Sequence, residues 1–252
     1  MNSEDAVTAC VLIIGNEILS GRTQDTNLNH IALTLGRWGI QVREARVIPD
    51  IEARIVEAVN YARSTYDYVF TTGGIGPTHD DITAGCIARA FNVPLVEHPE
   101  IAALIHRRQA PPDVMAARLR MAQVPQGSDL VANTTGGPPG FCIGNVYVMA
   151  GIPAVMQAML GSLEGKLRAG PVVRSRSVTA YLGESQIAGA LADIQQRFPQ
   201  VDLGSYPFFR KERYGTSLVM RGTSEDALDA MLAAVQQAII DAGETPADVS
   251  YE

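Results

Sequence analysis

The run "VTACVLII" (7 to 14), closed by Gly15, restricts the fold more than any other part of this sequence. It is almost continuously apolar and rich in Val and Ile, the pattern of a strand buried on both faces of a parallel sheet. Helical stripes and further strands alternate after it. Leu28, Ile31, Ala32, Leu35 and Trp38 mark a helix stopped by Gly39, and "QVREARVI" reads as a second strand. Ile51, Ile55, Ala58, Val59 and Ala62 mark a second helix. "YDYVFTT" is a third strand, followed by a helix carrying Ile82, Cys86, Ile87, Ala90 and Phe91. Short connections between such elements imply right-handed crossovers. The expected fold is α/β, a doubly wound three-layer sandwich with a mostly parallel sheet.

Farther along, residues 99 to 123 read as helical but interrupted by "APPD", with Asp113 suited to cap the second piece. "NTTGGPPGFCIGNVYVMAGIP" (133 to 153) reads as a glycine-rich turn, a short strand and another glycine-containing turn, and "AVMQAMLGSLEGKL" as the helix after it. A boundary is expected near "RAGPVV", separating a main domain at 1–170 from a small two-layer α/β domain at 171–245. The order expected there is β-α-β-β-α, with Thr223 and Asp226 spaced as a capping box on the last helix. Residues 246–252 are expected to be a mobile tail.

A formal net charge of −7 and the lack of any Lys/Arg block argue against nucleic acid as a partner, because phosphate neutralisation needs a basic face. Composition, 46% hydrophobic and 19% charged, suits a globular chain with a sizeable core. The apolar run at 7–14 is too short to span a bilayer, and "MNSEDAV" is acidic where a signal peptide is basic. No membrane association and a cytoplasmic location are expected. Cys10, Cys86 and Cys142 lie far apart among small or apolar neighbours, which fits packed, reduced thiols better than a disulfide or a catalytic thiol.

In open α/β sheets, ligands sit where the loops leave the carboxyl ends of the strands. Three loops land there: "GNEILSGRTQDTN", the Pro49–Asp50 pair, and "GGIGPTHDDIT"; "TTGGPPG" and "AGIP" are candidates to join them. In the third, Gly73, Gly74 and Gly76 allow close approach to backbone amides, and the next helix's N-terminus can hold a phosphate without a lysine. The spacing is neither the Walker pattern nor GxGxxG, so a phosphate loop and a tight structural turn both remain open. Asp80 and Asp81 exceed what helix capping needs. A hard cation such as Mg²⁺, held by one or two carboxylates and ligand phosphates, accounts for the pair as well as capping does. His79 reads as a solvent-facing loop residue. Glu17 and Asp25 in the first loop are able to point into the same cleft; Asp25 and Asp50 are equally suited to cap the helices after them. The turn from Gly136 to Gly140 suits ligand approach or a bare connection. The four histidines have no metal spacing, and no Ser/His/Asp arrangement is legible.

"GNEILSG", "DTNLNHIALTLGRWGI", "VIPD", "TTGGIGPTHDDIT" and "AGIPAVMQAML", in that order, resemble the CinA-type (competence/damage-inducible protein A) family, whose core is similar to the MoaB/Mog molybdopterin-binding domain. The likeness runs from about residue 8 to 165, and "LGES" at 182 to 185 resembles that family's small α/β domain. The amidase domain of longer members, which deamidates nicotinamide mononucleotide, is not expected within these 252 residues. Two positions depart from the family pattern: Asn16 stands where an Asp is usual, weakening any metal role there, and Ala150–Gly151 replaces Pro-Gly. The resemblance implies either metal-dependent (Mg²⁺ or Co²⁺) hydrolysis of ADP-ribose to AMP and ribose 5-phosphate, or binding and adenylylation of molybdopterin. It implies catalytic roles for Asp81 and Asp50, and a cation held by Asp81, with Asp80 or Glu17 assisting. The ligand contacts it implies, for a small nucleotide or pterin, are Gly15, Glu17, Thr72, Gly73, Gly74, Gly76, Pro77, Thr78, Thr83, Gly137, Gly151 and Pro153. Relatives of this kind form homo-oligomers, so self-association is implied as well.

Overall fold

The computed structural model describes residues 6–210 and 212–251. The first apolar run forms β1 (Val7–Ile14). Its residues alternate between two cores: Val7, Ala9, Val11 and Ile13 enter one, and Cys10, Leu12 and Ile14 enter the other. With neither face in water, this strand must be covered on both sides. Parallel partners supply the edges, β2 (Ile40–Ile48) on one side and β3 (Tyr68–Thr72) on the other.

The short α1 (Asn16–Leu19) and then α2 (Asn27–Arg37) link β1 to β2, and α3 (Glu52–Thr65) links β2 to β3. Because the chain reverses its direction of travel across the sheet between these crossovers, the two long helices cover opposite faces. Ile31 and Leu35 of α2 join the first core, and Ile55, Ala58, Val59 and Ala62 of α3 join the second. α4 (Thr83–Phe91) follows β3 and packs Cys86, Ile87 and Ala90 beside α3.

The next stretch holds β4 (Leu95–Glu97), α5 (Pro99–His106), α6 (Pro112–Leu119), a 3₁₀ turn (Arg120–Ala122), β5 (Gln123–Pro125) and β6 (Asp129–Val131). After it come β7 (Gly140–Ile143), β8 (Val146–Met149) and α7 (Pro153–Gly161). The main sheet has the order β2-β1-β3-β8-β7-β6. β2, β1, β3 and β8 run parallel; β7 runs antiparallel to them, and the edge strand β6, antiparallel to β7, returns to their direction. The doubly wound three-layer sandwich expected from sequence is therefore present, with a mixed sheet.

Several local expectations change. The stretch from 133 to 153 contains two strands, because Gly144, at φ 56°, and Asn145 turn the chain into a hairpin. Asp113 does not cap α6; it lies in the first turn behind Pro111 and Pro112, where its charge favours the helix dipole.

Residues after Gly170 form a separate compact unit. It contains β9 (Arg174–Ala180), α8 (Glu184–Arg197), β10 (Asp202–Arg210), β11 (Arg213–Gly222), α9 (Glu225–Asp241) and β12 (Ala247–Tyr251). The sheet order is β10-β11-β9-β12, and Val178, Leu218 and Met220 pack under Ile187, Leu228, Met231 and Val235 of the two helices. Ser224, not Thr223, caps α9, its hydroxyl accepting from the Ala227 amide at 3.3 Å. The mobile tail expected at 246–252 is corrected over the described residues: 247–251 are a strand. Its backbone pairs with β9, the Ser177 and Ser250 hydroxyls meet at 2.8 Å, and Arg176 lies over the Tyr251 ring at 4.7 Å. A short strand of mixed polar, aliphatic and aromatic residues completes a sheet edge there, which apolar periodicity does not reveal.

Cys10 and Cys86 are buried, and desolvation pushes their thiols up to about 12 and about 11. Both are expected to resist iodoacetamide at pH 8 in the native protein and to react after unfolding, as read by intact mass. Leu12→Ala is expected to cost about 2–5 kcal/mol of stability by urea unfolding. Leu33→Ala, at a side chain 62% exposed, is expected to change it by less than about 0.5 kcal/mol.

Candidate functional site

The sheet order places the topological switch between β1 and β3, since the chain leaves β1 in one direction, toward β2, and leaves β3 in the other, toward β6, β7 and β8. Register levels the strand ends there: Ile14 pairs with Ile48, Ile13 with Thr72, and Thr72 with Met149. A cleft of about 640 Å³ opens over these ends. Its volume lies inside the roughly 300–1,000 Å³ range of small-molecule sites.

The floor is the third loop. Gly73 has φ 99°, donates its amide to the Met149 carbonyl at 3.2 Å, and lies so close to the Ile14 carbonyl that a side chain would collide with it. Gly74, at φ 67°, has the same relation to the Thr83 hydroxyl. Thr83 is fully buried; its amide donates to the Gly74 carbonyl and its hydroxyl to the Gly73 carbonyl, both at 3.0 Å. These glycines thus serve the loop's own packing against β1 and α4 as well as access to the cleft. Gly73, Gly74, Ile75, Gly76 and Pro77 all line it.

Asp81 also faces the cleft. Its Oδ2 accepts from the Thr78 amide at 2.8 Å and from the Thr78 hydroxyl, closing a turn beside Gly76. Asp80 points elsewhere, with its side chain 65% exposed and His79 at 3.9 Å. The nearby Thr78 hydroxyl, its own backbone and the charges of His79 and Arg120 hold its carboxyl below the ordinary range. Glu17, from α1, lines the cleft on the β1 side.

Asp50 does not line the cleft and does not cap α3. Its Oδ2 accepts from the Asn16 amide at 2.8 Å, tying the first loop to the end of β2 next to Glu17. Asp25 does cap: its Oδ1 accepts from the Leu28 amide at 2.9 Å. Gly137, Gly151 and Pro153 line the cleft; Gly15, Thr72 and Thr83 are buried behind it, and the exposed Thr78 lies outside its lining. Asn27 donates to the Gly151 carbonyl at 2.8 Å and so fixes that turn. Asn133 braces the remaining wall, donating to the Pro138 carbonyl at 3.0 Å and accepting from the Thr135 amide at 3.0 Å.

Sequence reasoning missed Arg120, Met121, Asn133 and Phe141, all on the cleft wall. Arg120 and Met121 arrive through the pairing of β4 with β5, two three-residue strands without periodic signal. Asn133 carried a signal, an Asn two residues before a Thr in a Gly-Pro turn, which suits a side-chain-to-backbone bond.

Among the described residues, no three His, Cys, Asp or Glu side chains gather into a metal cage. Glu17 and Asp81 are the two carboxylates that line the cleft, and Asp81 Oδ1 lies outside the bonds to Thr78, so these are the side chains that could hold a cation keeping several waters.

The cleft stands at the switch point of a doubly wound α/β unit, and residues 10–168 match the family model described as "Probable molybdopterin binding domain". The chain belongs to that family. Within it, the chain is CinA-like: it is 30% identical to a "CinA-like protein" of Myxococcus xanthus over 90% of this chain and 57% of the relative. The solved structure of CinA, of unknown function, from Thermoplasma acidophilum is 34% identical with TM-score 0.60, covering 65% of this chain and 99% of that one. Residues 172–246 match the model "FAD synthase, middle domain". Consistently, a "Probable FAD synthase" of Caenorhabditis briggsae is 29% identical over 92% of this chain and 50% of the relative. The chain spans about half the length of these two curated relatives. Among the described residues, no helix is long and apolar enough to cross a membrane.

If Asp50 is a tether for the first loop, Asp50→Asn keeps an acceptor and Asp50→Ala does not. Hydrogen exchange at the Asn16 amide is expected to stay slow in the first variant and to speed up about tenfold or more in the second.

Proposed function

We propose that the Val7–Gly170 unit binds a compound carrying phosphate and a flat heterocycle, and hydrolyses the pyrophosphate bond of ADP-ribose or a similar nucleoside diphosphate compound. The observation that carries this reading is the cleft itself, where a glycine loop, two carboxylates and an apolar wall meet at the β1/β3 switch point. Phosphate would lie on the amides of Gly74, Ile75 and Gly76, near the N-termini of α4 and α7, whose partial positive charge favours it. Met121, Pro138, Phe141 and Met159 offer the heterocycle an apolar surface. Glu17 and Asp81 would hold a divalent cation, which when bound supplies neutralisation of the charge developing on the phosphates. The Glu17 carboxylate makes no hydrogen bond among the described residues; with one oxygen on the cation, the other would accept the proton of an attacking water. That water's oxygen bonds to phosphorus as the bridging P–O bond breaks, giving AMP and ribose 5-phosphate from ADP-ribose.

Two observations favour a second reading, ligand binding without turnover. Thr78 occupies one oxygen of Asp81, and Asn16 stands where the CinA-type pattern has an acid. In this reading the unit holds a pterin or nucleotide phosphate, with adenylyl transfer to molybdopterin as a variant that needs ATP.

The test is a panel of ADP-ribose, FAD and dinucleotides with Mg²⁺, Co²⁺ or chelator, scored by chromatographic release of AMP. FAD belongs in it because relatives are called FAD synthases. Metal-dependent AMP release is expected, with Glu17→Gln and Asp81→Asn each lowering kcat by about 10²-fold or more. No turnover of any compound with either metal sinks the hydrolase, and chelator-insensitive binding of molybdopterin would then support the second reading.

A further inference from the structure

One cleft residue is unused by the reading above. Among the residues lining the cleft, Arg120 carries the one cationic side chain. Its guanidinium makes no ion pair or hydrogen bond among the described residues, although nine ion pairs form elsewhere. Its charge reaches Asp80 without pairing with it.

The backbone beneath it is fixed. Arg120 opens the 3₁₀ turn whose last residue, Ala122, is fully buried, and the Ala122 carbonyl accepts from the His98 amide at 2.8 Å. Met121 packs against the core, and β5 starts at Gln123, directly after Ala122, paired with β4. A flexible cation on a surface loop would be a solvated charge; this one stands on an anchored turn at the wall of a concave site. It belongs to a different chain segment from the glycine loop, so the cleft offers an anion two separate stations: loop amides and a guanidinium. Arginine's planar fork matches phosphate geometry bidentately. A ligand with one phosphate engages one station, and a ligand with two adjacent phosphates engages both.

We propose that Arg120 is a specificity-determining residue that receives the second phosphate of a nucleoside diphosphate, an inference that rests on phosphate binding at the glycine loop. It selects diphosphate compounds over monophosphates, including a pterin with a single phosphate, and it acts in binding whether or not the bond is then cut.

Calorimetric titration with ADP and with AMP, in the presence of chelator, tests this without relying on turnover. The wild-type protein is expected to bind ADP about tenfold or more tighter than AMP. In Arg120→Gln the ratio is expected to fall to about two through loss of ADP affinity alone, with AMP affinity unchanged. Arg120→Lys is expected to retain part of the preference as a point charge. An unchanged ADP-to-AMP ratio in Arg120→Gln overturns the assignment, as does an equal loss of both ligands. Wild-type protein that binds neither nucleotide overturns the phosphate reading of the loop itself, a result separable from either of those. Arg120 is exposed and unpaired among the described residues, so thermal unfolding of the variants is expected to match wild type.

Discussion

Gly73 sits where three strand ends converge, and the cleft depends on that contact. Its amide is bound by the carbonyl ending β8, its α-carbon abuts the carbonyl ending β1, and Gly151 packs over it at the start of the turn into α7. A side chain at Gly73 would push β1 and β3 apart at the switch point, and its positive φ disfavours every residue with a Cβ. The loop after β3 therefore lies flat on the sheet edge, and the space above it becomes a concavity. Thr83 finishes the work from the helix side by satisfying both glycine carbonyls.

The electrostatics of the cleft follow from how its acids are tethered. Asp50 and Asp81 each bind a backbone amide, at Asn16 and Thr78, and so shape the two loops that frame the site. The Asp50 bond uses the backbone of residue 16, so an Asn side chain there leaves it intact. Glu17 is carried on that tethered turn, which brings a carboxylate to the cleft wall, and Arg120 reaches the wall from a separate segment.

The unit after Gly170 has a core of its own, and its match to the FAD synthase middle domain accounts for residues that the cleft chemistry leaves out. Its sheet is antiparallel throughout and ends in β12, whose stability comes from backbone pairing and a cation–π contact rather than from an apolar face.

How legible was this in the sequence? The alternation of β1 between two cores, the stripes of α2, α3 and α4, and the glycine loop follow from local pattern, because burial on both faces or on one helical stripe leaves a periodic trace. Gly73 and Gly76 were legible as special, but whether they serve ligand access or the loop's own packing was not, since their near neighbours are Ile14, 59 residues earlier, and Asp81. β4, β5, β6 and β12 escaped because strands of three to five residues with mixed polarity have no period to read. The sequence by itself determined the winding of the sheet and the position of its loops, through hydrophobic period and chain order. Only the tertiary structure decided that Asp50 tethers rather than lines the cleft, and that Arg120 stands on its wall, because both facts depend on long-range pairings that no local spacing encodes.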